Sequence, residues 1–220
     1  MTLNRRHFVS AGLFLPLFGA ACAGSLGAYS VEESVRRLLE LSSQRAFARL
    51  LRPGGFYDDQ LTRIDPPGVA GGGTNDVLGA ILRTGAVRRR VAIALNDVAV
   101  EAADRAAPIV TDAIRRMSFA DALAVARGGP TAATDLLQRE VGSSLVEAMF
   151  PEFSGALNSD LSEILSAAIA ARTGVDYRVL ARDLSRLASI SIFRAIGREE
   201  AAIRADPASV RDPAIRALFG

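Results

Sequence analysis

The chain has 220 residues, half of them hydrophobic, with 26 basic and 24 acidic side chains, one His, one Cys and no Trp. That length is enough to bury one core of ordinary size, and a single Cys excludes a disulfide framework within the chain. Every basic residue is Arg; two of the 26 lie in the first 21 residues, where there is no acid, so 24 stand against 24 acids beyond them. The net charge there is zero, and the pI near 9.2 makes no case for nucleic acid as a partner.

Residues 1–22 read as an export signal and 23–29 as a short tether, with a single helical domain over 30–220. Arg5 and Arg6 supply a basic start, and Phe8 to Ala21 is an apolar run too short to span a bilayer comfortably as a helix. Arg5-Arg6-His7-Phe8-Val9 resembles a twin-arginine export signal, although the same pair would serve an ordinary one. Cys22 follows Gly19-Ala20-Ala21, where a bacterial lipoprotein signal places its lipid-acceptor cysteine; Gly19 departs from the usual aliphatic residue. A cut after Ala23 is the alternative, and it would remove the cysteine. The expected location is the periplasm, tethered to the outer membrane through lipid on Cys22.

Helical periodicity dominates the remainder. Ser30 with Glu33 reads as a capping box opening a helix over 30–51, with Val35, Leu38, Leu39, Leu41, Phe47 and Leu50 along one face. Pro53-Gly54-Gly55 ends it, and residues 53–74, rich in Gly and Pro, read as a surface loop. Their glycine run lacks the preceding strand and the spacing of a phosphate-binding loop. A short helix is expected over 76–83, then one over 87–107 with a stripe of Val87, Val91, Ala94, Leu95, Val98 and Ala102. Pro108 is placed at the start of a further helix reaching Met117. Ser118 with Asp121 should cap the next, stopped by Gly128-Gly129-Pro130. Helices over 130–149 (closed by Pro151), 158–172, 176–205 and 213–218 complete an all-α, single-domain bundle. Ser189-Ile190-Ser191-Ile192 alternates like a strand, but inside a helical pattern.

Four segments carry a resemblance: 94–103 (ALNDVAVEAA), 112–118 (DAIRRMS), 129–136 (GPTAATDL) and 199–207 (EEAAIRADP). In order and spacing they resemble the bacterial domain-of-unknown-function 4197 family, as does the closing Leu218-Phe219-Gly220. Gly54-Gly55-Phe56 and Arg63-Ile64-Asp65-Pro66-Pro67 are similar to its N-terminal part. The resemblance implies an exported helical domain without assigned activity. Leu136-Leu137 stand where that family usually carries Tyr-Phe, which argues against an essential aromatic hydroxyl there.

Candidate chemistry is sparse. His7 leaves with the signal, so the mature chain has no imidazole for a triad, a metal site or acid–base catalysis. No catalytic residue, metal or cofactor is assigned. The polar constellation taken as a candidate binding site is Asn96, Glu101, Thr134, Glu199, Glu200 and Arg204, imagined to line one cleft; the plainer reading is surface ion pairs, a helix cap and one interhelical hydrogen bond. Glu200 and Arg204 are spaced to pair along one helix face. Arg88-Arg89-Arg90 opens a helix, where the dipole disfavours cations; the plainer reading is pairing with Asp76, Asp97 or carboxylates on another helix, the other an anionic lipid surface or lipopolysaccharide. Three functional classes follow: a binding module for a lipid or another apolar ligand, a scaffolding envelope protein without a small ligand, and a hydrolase pairing Glu101 with Glu199 or Glu200.

Overall fold

A computed structural model describes residues 29–65, 85–159 and 177–220. Arg5, Arg6, Cys22 and the helices expected over 76–83 and 158–172 lie outside the described residues. Six α-helices appear there: α1 Val31–Leu50, α2 Gly85–Arg116, α3 Ala122–Arg127, α4 Ala132–Asn158, α5 Tyr177–Ala205 and α6 Pro213–Phe219, with one 3₁₀ turn at Pro207–Ser209. The described residues contain no strand, and the Ser189–Ile192 alternation is helical, as α5 requires.

The four long helices pack in a ring. α1 meets α2, α2 meets α4, α4 meets α5 and α5 returns to α1, while the diagonal pairs barely touch. The reason lies in the side chains at the seams. α2 buries Ala92, Ala99, Ala102, Ala103 and Ala106, whose small size lets neighbouring helices approach closely. The larger volumes come from α4, through Leu137, Leu145, Met149, Phe153 and Leu157, all fully buried or nearly so. A second, smaller cluster of Leu38, Ile203, Val210 and Ile215 seats α6 on α1.

The caps are local and mostly follow the sequence. Ser30 Oγ accepts from the Glu33 N–H at 3.0 Å, but the Glu33 carboxylate accepts from Arg37 Nε, so half of the expected box is made. The α3 cap is Asp121, accepting from the Ala124 N–H, and not Ser118: the helix starts three residues later than a Ser118 cap would require.

Two prolines were expected to bound helices, and neither does. α2 runs 32 residues through Pro108, and α4 runs 27 through Pro151. Both prolines are exposed. Each frees one carbonyl, of Asp104 or Glu147, on the solvent side, where water can satisfy it. On the opposite face the buried rows continue across the break, Ala103 to Val110 and Met149 to Phe153, and they hold the helix together.

The segment after α1 also departs from a surface loop. Gly54 takes φ +75°, which turns the chain back toward the bundle. Phe56, Thr62 and Ile64 are then buried, and Phe56 and Ile64 join the main core. Residues 66–74 of the expected loop lie outside the described residues.

Candidate functional site

The C-terminal part of α5, Arg198 to Arg204, sends each polar side chain to a different partner. Glu200 is fully buried. Its Oε1 accepts from the Ala133 N–H at 3.0 Å and from Arg204 Nε at 2.8 Å. Its Oε2 accepts from the Thr134 N–H at 2.7 Å and the Thr134 hydroxyl at 2.6 Å. Thr131, the residue preceding α4, makes no side-chain cap bond. Glu200 therefore supplies the anionic cap of α4 from another helix.

Arg204 completes the corner. Its Nη1 donates to the Ala126 carbonyl at 2.8 Å and its Nη2 to the Val125 carbonyl at 3.1 Å, the last turn of α3. The guanidinium also lies 4.7 Å from the Phe219 ring centroid. One ion pair thus joins the end of α3 to the start of α4 across Gly128-Gly129-Pro130. Gly128 is needed in this corner because a Cβ there would lie 2.6 Å from that of Ala132.

The same device occurs once more. Arg36, paired with Glu32 four residues earlier, donates to the Ile114 carbonyl at 2.5 Å and the Met117 carbonyl at 3.1 Å, closing α2, and lies over Phe119.

The remaining candidates are separated from this corner. Asn96 is buried; its Oδ1 accepts from the Ile64 N–H at 2.9 Å, and its Nδ2 donates to the carbonyls of Ile64 at 2.9 Å and Ala92 at 2.6 Å. It clips the inward-turned segment to α2. Glu199 pairs with Arg49 of α1 at 2.7 Å. Glu101 is exposed and lines a different depression of about 400 Å³ with Asp97 and Glu152. The six residues therefore do not share a cleft: Thr134, Glu200 and Arg204 come together, and Asn96, Glu101 and Glu199 each stand elsewhere. Glu101 does not share a depression with either proposed carboxylate partner, and four donors occupy the four acceptor positions of Glu200.

Sequence reasoning missed Asp59 and Arg198. Arg198 Nη1 donates to Asp59 Oδ2, while Asp59 Oδ1 accepts from the Leu61 N–H at 2.9 Å. Burial pushes the Asp59 carboxyl up, but the Arg198 and Leu61 hydrogen bonds and the nearby Arg49 charge outweigh it, so its pKa lies below the usual value. The Asp58-Asp59 pair in the turn after α1 was the available signal.

Beside this ion pair, α4 and α5 border a groove of about 430 Å³. Its apolar walls are Leu61, Ile190 and Phe193; Thr131, Thr134, Asp135 and Gln138 stand on the α4 side, and Arg194 and Arg198 face it from α5. Arg198 Nε is buried and has no hydrogen-bond partner. Among the described residues no group of three His, Cys, Asp or Glu could hold a metal ion, and no helix is long and apolar enough to cross a membrane.

No curated protein and no solved structure matches the chain. A family model does, over residues 25–220: the chain belongs to DUF4197, a family described as protein of unknown function.

Proposed function

We propose that this is an exported, lipid-anchored helical module of the cell envelope that binds an amphipathic ligand, a lipid or similar apolar molecule, in the α4–α5 groove. The observation that carries the reading is the groove's chemistry. Apolar walls from Leu61, Ile190 and Phe193 meet the guanidiniums of Arg194 and Arg198, with Asp135 and Gln138 also on the lining. Such a surface suits an apolar body with a polar head. For the anchor, the support is Cys22 after Gly19-Ala20-Ala21, with the family match beginning just beyond it at residue 25.

Mass spectrometry of protein purified from envelopes tests both parts. Under denaturing conditions the chain should start at Cys22 and carry acyl mass. Under native conditions it should carry one further ligand mass, lost in a Leu61→Glu, Arg194→Glu variant whose melting temperature is unchanged. Wild-type protein without ligand, or equal loading of the variant, would reject the groove; an unmodified chain would reject the anchor.

A further inference from the structure

Several of the described arginines are engaged. Arg36, Arg37, Arg49, Arg105, Arg198 and Arg204, for example, all sit in ion pairs. Arg88, Arg89 and Arg90 are not, and unlike the other unpaired arginines they stand three in a row. All three are exposed on the first two turns of α2, and among the described residues none makes an ion pair or hydrogen bond. Asp97, the partner expected on α2, is not bonded to them, and Asp76 lies outside the described residues. The first turn of α2, Gly85 to Arg88, holds no acid, so Arg88 stands at the positive end of a helix dipole that disfavours a cation.

A fourth guanidinium joins this face. Arg63 lies 4.6 Å from the Tyr57 ring centroid, and its Nε donates to the Tyr57 carbonyl at 2.5 Å, so its head is held in place. Arg63, Arg88 and Arg89 line a hollow of about 320 Å³ that includes one carboxylate, Asp65. Ile93, 40% exposed, continues the Arg89 row one turn further along α2 and places an apolar side chain beside the charges.

We propose that Arg63 and Arg88–Arg90 form a docking face for an anionic membrane surface, with lipid phosphodiester headgroups entering the hollow and Ile93 reaching the acyl boundary. This face is separate from the α4–α5 groove and does not depend on the anchor. Its placement adds a consequence if the anchor exists. The start of α1, from which the tether would lead to Cys22, lies at the other end of α2, because Arg36 reaches the carbonyls of Ile114 and Arg115. Along α2 the two points are about 40 Å apart, so both contacts together would lay the bundle lengthwise on the bilayer.

The test is co-sedimentation of the full chain carrying Cys22→Ser with vesicles of phosphatidylglycerol or phosphatidylcholine. The leader is common to every sample, so binding to phosphatidylcholine is subtracted. The excess on phosphatidylglycerol should fall with added salt and weaken roughly a hundredfold in Arg88→Ala, Arg89→Ala, Arg90→Ala. That variant should melt no lower than its parent, whereas Arg115→Ala, Arg116→Ala at the opposite end should bind as the parent does. No preference for phosphatidylglycerol, or a preference that survives the triple substitution, would overturn the proposal. So would saturable binding of soluble glycerol phosphate at the same arginines without vesicle binding.

Discussion

Glu200 and Arg204 show how one ion pair can hold two helix ends. A buried carboxylate is costly to desolvate, and it is tolerated only when its lone pairs are filled. Here two backbone N–H groups, one hydroxyl and one guanidinium fill them. Replacing Glu200 by Gln would turn an amide NH₂ toward donors and remove the charge partner of Arg204. The expected loss is about 3 kcal/mol, read as a lower urea midpoint at unchanged m-value. A loss under about 1 kcal/mol would mean that the caps of α3 and α4 do not depend on this charge.

At the scale of elements, Pro108 and Pro151 illustrate a competition between local rule and packing. A proline inside a helix costs about 3 kcal/mol through one lost hydrogen bond and a ring clash. The buried faces of α2 and α4 continue on both sides of their prolines and outweigh that cost. Pro108→Ala should restore the bond to the Asp104 carbonyl and stabilise the protein by about 2 kcal/mol, less than the full cost because proline also stiffens the unfolded chain. A thermal melt would show this as a raised midpoint. An unchanged or lowered midpoint would indicate that α2 has adapted its packing to the break.

At the scale of the whole molecule, the turn-rich segment ending at Asp65 is fastened to the bundle at three points. Phe56 and Ile64 enter the core, Asn96 holds the Ile64 peptide, and Asp59 pairs with Arg198. The Asp59 pKa is depressed on folding. Its stabilisation is therefore complete above the ordinary carboxylate value and is lost as pH falls through the lower folded one. The melting temperatures of wild type and Asp59→Asn should differ by a constant amount from pH 7 to 5 and converge below about pH 4. A gap independent of pH across that range would remove Asp59 from the acid response.

What the sequence determined by itself is local. Period-3.6 patterns and capping residues such as Ser30 and Asp121 act within a turn or two of the chain, so helix existence and the all-α class were legible in it. The Glu200–Arg204 pair was legible for the same reason, since its spacing is one helical turn. The tertiary structure decided the rest: the ring order of α1, α2, α4 and α5, the continuation through two prolines, and the scattering of a constellation that spacing alone had grouped. The bonds responsible join residues 66 apart for Thr134 and Glu200, 32 for Ile64 and Asn96, and 139 for Asp59 and Arg198. No period in the chain encodes such pairings, because burial and helix packing select them only once the bundle has closed.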